Sequence, residues 1–182
     1  MDGTLALIWL VTSLGDMAIN DCPDGCLKVE KVQPRVSYQF ADVQFNEESI
    51  GQEFYIGYDS HRQPGPFNPT YGLSVTTDGA AWFGIGWKWT SQNVVDSPLF
   101  IETSLMPGVF FQGDGPDLGG ALQFRSALGV GYEFDNGNTL TVSYDHRSNA
   151  DTQALNPGLE TLSIRYAVTW DTNRGRFRPF AN

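Results

Sequence analysis

Three residues near the C-terminal end of the chain have the types and spacing needed for nucleophilic catalysis. His146 and Ser148 are two positions apart, and Glu160 follows the serine by twelve. A serine hydroxyl is a weak nucleophile until a neighbouring base takes its proton, and a neutral histidine can do this near neutral pH. A carboxylate behind the histidine fixes its tautomer and stabilises the imidazolium that forms. The spacing predicts a Ser-His-Glu triad; the alternative is that these residues only mark the polar rim of a sheet.

The segments that carry the three residues alternate as β-strands do. His146 and Ser148 continue the parity of the apolar Tyr144, and Glu160 shares the parity of Leu162 on the following strand. An antiparallel pairing that sets His146 opposite Glu160 also sets Tyr144 opposite Leu162. The apolar rows and the candidate triad therefore agree on one register, in which three polar side chains interrupt otherwise apolar rows.

The rest of the chain predicts an all-β protein of one domain. It has 182 residues, of which 41% are hydrophobic and 13% aromatic, and from Arg35 onward apolar residues alternate with period two between turn residues. The Asn136-Gly137 pair is a strong hairpin signal, whereas the connection 149–159 is much longer. We predict eight strands, at 35–46, 52–58, 70–76, 80–90, 98–111, 119–134, 138–148 and 160–170.

The composition of the two strand faces favours a membrane barrel. One face is rich in Trp, Tyr, Phe and Leu, whereas the other carries Gly, Ser and isolated charges, which suits the crowded interior of a small closed barrel. We therefore predict an eight-stranded antiparallel transmembrane β-barrel of the outer-membrane type, with a soluble lipocalin-like barrel as the alternative. No run of 18 apolar residues predicts a spanning helix. The formal charge of −10 makes nucleic acid a poor candidate for a partner.

The chain divides into four segments. Residues 1–18 include an apolar stretch that predicts either an atypical signal segment or a short buried helix, and residues 19–34 are an N-terminal lead-in. Residues 35–170 form the barrel, and residues 171–182 form a C-terminal tail. In the lead-in, Cys22 and Cys26 flank a Pro-Asp-Gly turn that could bring the two thiols together, and in an exported protein they would form a small disulfide loop.

The segment YDHRSNADTQALNPGLE resembles the catalytic segment of the lipid A 3-O-deacylases, outer-membrane barrel esterases with the pattern His-x-Ser-Asn and Glu twelve residues after the Ser. The resemblance covers about the last quarter of the chain strongly and the other strands diffusely. It implies a carboxylic ester hydrolase with the catalytic residues His146, Ser148 and Glu160 facing the lipid, and with Asn149 helping to stabilise the oxyanion. It also implies no metal and no cofactor.

The same resemblance implies the location and the partners. The protein would reside in the bacterial outer membrane, take lipid A or lipopolysaccharide as its substrate, and contact outer-membrane lipids, with a second copy of the chain as a further candidate partner. Outer-membrane phospholipase A shares the His-x-Ser-Asn core, but it has Asn where this chain has Glu160, Gly in place of Ala150, a calcium requirement and a larger barrel. A phospholipase A-like barrel and a non-catalytic structural or lipid-binding barrel remain the alternatives.

Three other residues are expected to have structural positions. Asp145 and Arg147 have the inward parity, so we predict that they are interior ion-pair partners rather than catalysts. His61 lies in a turn-rich segment and is predicted to be an exposed loop residue.

Overall fold

The computed structural model describes residues 3–170, and its main element is a closed barrel of eight antiparallel strands. The predicted fold is confirmed, because every predicted strand is present with its ends within four residues of the prediction. The predicted tail, residues 171–182, lies outside the described residues. The barrel strands are β2 Arg35–Phe45, β3 Glu48–Asp59, β5 Asn68–Thr76, β6 Ala81–Thr90, β7 Leu99–Phe111, β8 Leu122–Glu133, β9 Thr139–Ser148 and β10 Leu159–Thr169.

The barrel closes by pairing its first strand with its last. β10 pairs with both β9 and β2, so no strand edge in the barrel is left unpaired. The connections 46–47, 77–80, 112–121 and 149–158 lie at one end, which we call the site end, and the two longest of them lie side by side there. The first and last strands begin and finish at the opposite end.

Side chains along each strand alternate between the outer face and the interior of the barrel, as predicted. Outward-facing aromatic and aliphatic residues are about half exposed, as Phe40, Ile85 and Val142 show with 56%, 47% and 53%. Inward-facing positions are small or polar and are buried. This is the arrangement of a barrel whose outer face contacts hydrocarbon and whose interior is filled by side chains.

Large side chains fill the barrel interior at its centre. Trp82 is fully buried and packs in one cluster with Tyr55 and Met106. Glycine makes room for the indole, because a Cβ at Gly84 would overlap its ring. The guanidinium of Arg125 lies 4.5 Å from the centre of the Tyr55 ring, a cation–π contact.

A helix precedes the barrel and packs on its outer face. α1 (Thr4–Asp16) is followed by a π-turn (Met17–Asp21), a 3-10 turn (Cys22–Asp24) and a two-stranded sheet of β1 (Val29–Lys31) and β4 (Arg62–Pro64). A further 3-10 turn, Ser91–Asn93, follows β6. Cys22 and Cys26 form a disulfide. No helix within residues 3–170 combines the length and apolarity that crossing a membrane requires.

Candidate active site

The pairing of β9 with β10 brings His146 and Glu160 together. They are direct partners across the two strands, as are Tyr144 and Leu162, so the predicted register is confirmed. Both members of the pair follow outward-facing apolar rows toward the site end. The polar residues thus stand on the outer surface of the barrel, at the point where the strands run into the loop 149–158.

The histidine and the glutamate are hydrogen-bonded. His146 Nδ1 lies 3.2 Å from Glu160 Oε1, and an ionised carboxylate can only accept, so Nδ1 carries the proton and donates it to this bond. The other ring nitrogen, Nε2, then bears the lone pair. Nε2 is buried and has no hydrogen-bond partner among the described residues. An imidazole held in this tautomer can accept a proton at Nε2.

Ser148 lies on the same face of β9 as His146, and the two line one cavity. This cavity has a volume of about 350 Å³ and is bounded by residues of β7, β8, β9, the loop 149–158 and the start of α1. The structure shows no hydrogen bond between Ser148 and His146.

Asn149 is completely buried, and its side chain holds two loops together. Its Nδ2 group donates to the carbonyl of Leu118 at 3.0 Å and to that of Leu155 at 2.6 Å, which uses both amide hydrogens. Its backbone N–H donates to Asn156 Oδ1. The structure therefore places this residue beside Ser148 but leaves its amide no free hydrogen for an oxyanion.

The backbone that follows Ser148 is in an uncommon conformation. Ala150 and Asp151 have φ angles of 54° and 57°, in the left-handed region that non-glycine residues seldom adopt. The hydrogen bonds of Asn149 and Asn156 hold this turn in place. Strained residues of this kind cluster at functional sites.

Gly158 ends the loop in contact with His146. Its φ is +79°, and a Cβ at this position would lie 2.8 Å from Cε1 of His146. Only glycine combines this backbone conformation with so close an approach to the ring. The contact of Gly158 with the imidazole is evident only in the structure.

The inward-facing residues of β9 support the site from inside the barrel. Arg147 donates to Glu53 at 2.7 Å, and Asp145 accepts from Arg125 at 2.9 Å. Arg125 also lies 3.2 Å from Glu53, so two cations and two anions neutralise one another. The prediction that Asp145 and Arg147 are interior ion-pair partners is confirmed. His61 is exposed, as predicted.

Sequence reasoning missed Ser126. It lies on β8 directly opposite His146, is only 5% exposed, and its hydroxyl donates to the His146 carbonyl at 3.4 Å. The signal available in the sequence was a polar residue at an outward-facing position of β8, where lipid-facing apolar residues are expected. Within residues 3–170, no group of three or more His, Cys, Asp or Glu side chains is arranged to hold a metal ion.

Comparisons with known proteins agree with this architecture. A family model described as Lipid A 3-O-deacylase (PagL) matches residues 35–169, the whole barrel. The crystal structure of the outer membrane enzyme PagL superimposes with a TM-score of 0.62 at 24% identity, covering 73% of this chain and 97% of that one. A comparison with curated protein sequences finds no match.

Two other solved barrels share the fold. A de novo designed transmembrane β-barrel has a TM-score of 0.56 at 11% identity and covers 77% of this chain and 97% of its own. Neisserial surface protein A has a TM-score of 0.50 at 12% identity, with 79% and 99% covered. Because the family model spans most of the chain, this protein belongs to the lipid A 3-O-deacylase (PagL) family and is an eight-stranded β-barrel of the bacterial outer membrane.

Proposed function

We propose that this protein is a serine esterase that removes the acyl chain ester-linked at position 3 of lipid A. Ser148 is the nucleophile, His146 the general base and acid, and Glu160 the residue that orients the imidazole. The observation that carries the proposal is the bond from His146 Nδ1 to Glu160, which leaves the buried Nε2 without a hydrogen-bond partner among the described residues, in a histidine that lines one cavity with Ser148.

The proposed reaction has two steps. Ser148 Oγ attacks the acyl carbonyl carbon while its proton passes to His146 Nε2, and the imidazolium then protonates the departing sugar oxygen. A water molecule attacks the acyl-enzyme ester and gives its proton to the same nitrogen. The fatty acid leaves, and the proton returns to Ser148. Glu160 accepts the Nδ1 hydrogen bond throughout and stabilises the imidazolium.

The position of the site on the barrel supports a lipid substrate. The outward face of β9 meets hydrocarbon along Val142 and Tyr144, and His146 and Ser148 continue that row toward the two longest connections. In outer-membrane barrels the long loops face outward. We therefore propose that the site lies at the outer leaflet, where lipid A is found. Asn149 then contributes by holding the loops beside Ser148.

The test is the mass of lipid A in cells that make the protein. Wild type should remove one hydroxyacyl chain from the lipid A of a lipopolysaccharide-bearing bacterium, and Ser148→Ala should abolish this loss while the barrel still inserts. Ser97→Ala, in the connection at the opposite end, is the matched control and should behave as wild type.

Two other outcomes would replace the proposal. Lysophospholipid formed in a calcium-dependent way, with lipid A unchanged, would mean a phospholipase. Unchanged lipids of both kinds in cells with correctly inserted wild type would mean a barrel without catalytic activity. A calcium chelator should leave the proposed reaction unchanged.

A further inference from the structure

Helix α1 crosses the outer face of β6, β7 and β8 and is held there by specific polar contacts. Trp89 donates its indole N–H to Asp16 Oδ2 at 2.8 Å, and the hydroxyls of Thr12 and Thr103 lie 3.3 Å apart. Trp9 packs against Phe67, with 6.1 Å between the ring centres. These contacts hold α1 at several points along its length. A loosely associated segment would not make such contacts.

The two sides of α1 differ in composition. The barrel-facing side is mixed: its buried residues are Trp9, Ser13 and Asp16, and the Thr12 hydroxyl contacts Thr103. A helix that faces water would expose mainly polar residues. The outer side of α1 instead exposes large apolar residues, which suits hydrocarbon; they are Leu7, Leu10, Val11 and Leu14.

The barrel surface beneath α1 differs from the rest of the outer face. Outward-facing side chains elsewhere are mostly large and about half exposed, whereas Trp89, Thr103 and Ser126 are only 9%, 1% and 5% exposed. Small residues such as Thr103 and Ser126 let a helix approach closely in a membrane. The small side chains of β7 and β8 thus allow α1 to lie close to the barrel.

The first turn of α1 reaches the candidate active site. Gly3 and Ala6 line the same cavity as His146 and Ser148. A Cβ at Gly3 would meet no atom within 4 Å, so the helix start borders open space. The volume of about 350 Å³ is within the range of small-molecule sites. α1 therefore bounds the cavity without filling it.

The walls of this cavity match the two parts of a lipid ester. The lining from α1, β7 and β8 includes the apolar residues Ala6, Leu105 and Phe124. The polar lining residues Asp151 and Asn156 come from the loop 149–158. The apolar lining suits an acyl chain and the polar lining suits a head group.

We propose that α1 is the lipid-side wall of the active-site cavity and that Ala6 limits the length or bulk of the acyl chain that reaches Ser148. This inference rests on the proposed esterase function. It requires that α1 remain part of the membrane-inserted protein and remain docked during turnover. The family match begins at residue 35, so this wall is a feature outside the matched barrel.

The first test compares two phenylalanine substitutions one residue apart. Ala6→Phe adds bulk inside the cavity, whereas Leu7→Phe adds it on the exposed side of the same helix. With full-length protein in detergent micelles, Ala6→Phe should lower kcat/KM for p-nitrophenyl myristate about tenfold and leave the butyrate ester unchanged, because pocket size discriminates by such factors. Leu7→Phe should change neither. Equal effects of both variants, or equal effects on both esters, would overturn the inference.

A labelling experiment keeps the inference testable without turnover. Ser148→Ala protein is photolabelled with a myristoyl ester that carries a diazirine in its chain. Label should appear in the peptides that contain Ala6 and Leu105, and adding Ala6→Phe should reduce it whereas adding Leu7→Phe should not. If wild type hydrolyses no ester but the labelling pattern is as expected, only the proposed function is refuted. If the label in these peptides is unchanged by Ala6→Phe, the inference that α1 lines the cavity is refuted.

A reversible cross-link tests whether α1 stays docked. Because the Thr12 and Thr103 hydroxyls are 3.3 Å apart, Thr12→Cys with Thr103→Cys should form a disulfide. Oxidised and reduced protein should hydrolyse the myristate ester at equal rates. A large loss on oxidation would show that α1 must move away for the substrate to enter. Intact mass of the inserted protein showing a chain that begins after Asp16 would also overturn the proposal.

Discussion

Strand β9 carries two sets of polar side chains, and their surroundings are opposite. Asp145 and Arg147 point into the barrel, where each faces a charge of the other sign on another strand. His146 and Ser148 point outward, where Glu160 engages one nitrogen of the imidazole and the other has no partner among the described residues. Consecutive residues of one strand thus belong to two different environments.

We interpret the contrast as a division between structure and chemistry. The charges of the inner set are paired with charges of the other sign. In the outer set, His146 Nε2 has no hydrogen-bond partner among the described residues and Ser148 lies on the same strand face. If this interpretation is correct, damage to the inner set should reduce stability, whereas damage to the outer set should reduce activity.

The largest effect should come from removing the outer set. Ser148→Ala and His146→Ala should each lower the rate of ester hydrolysis by about a thousandfold or more, and the double variant should lose no more than either alone, because such residues act as a unit. Steady-state kinetics measure the rates. Losses that multiply in the double variant would contradict a shared mechanism.

Removing a charge of the inner set should act on stability. Glu53→Gln leaves Arg125 and Arg147 facing one carboxylate instead of two, so the free energy of unfolding should fall by about 3–5 kcal/mol. Urea-induced unfolding in lipid vesicles measures it. Glu30→Gln, at an exposed position in β1, is the control and should change stability by less than about 0.5 kcal/mol. An unchanged midpoint for Glu53→Gln would show that the inner charges are not needed for folding.

An intermediate effect on activity is expected at Glu160. Glu160→Ala removes the acceptor of the Nδ1 hydrogen bond, and the rate should fall about a hundredfold, less than for Ser148→Ala, because the orienting carboxylate is the least indispensable member of a triad. The residual activity should still require Ser148. Glu160→Gln, which keeps the size of the side chain, separates the loss of charge from the loss of packing. Full activity of both variants would remove Glu160 from the mechanism.

The smallest effect should come from the loop that contacts the imidazole. Gly158→Ala places a methyl group 2.8 Å from His146 Cε1 and strains a backbone with φ of +79°, so the ring should shift and the rate should fall about fivefold. Gly79→Ala is the matched control, because Gly79 has φ of +80° but its Cβ would meet no atom within 4 Å. Equal activity losses in the two variants would mean that backbone strain, not contact with His146, is responsible.

The sequence was most informative where structure depends on local pattern. Alternation with period two specified the strands, the face of each residue and the pairing of His146 with Glu160, because a one-residue slip would turn every apolar side chain of a strand inward. The same parity placed Asp145 and Arg147 inside. The roles of these residues in catalysis do not follow from pairing alone and remain proposals.

Other features depend on contacts between distant parts of the chain, and only the tertiary structure decided them. Glu53 meets Arg147 because barrel closure brings together strands that are 94 residues apart in sequence. Both amide hydrogens of Asn149 are taken by loop carbonyls, which its position beside Ser148 could not indicate. The apolar stretch at the N-terminus predicted an atypical signal segment or a short buried helix, and the structure shows where the helix Thr4–Asp16 packs. The surface on which α1 packs exists only after β7 and β8 have paired, because it is assembled from side chains of several strands.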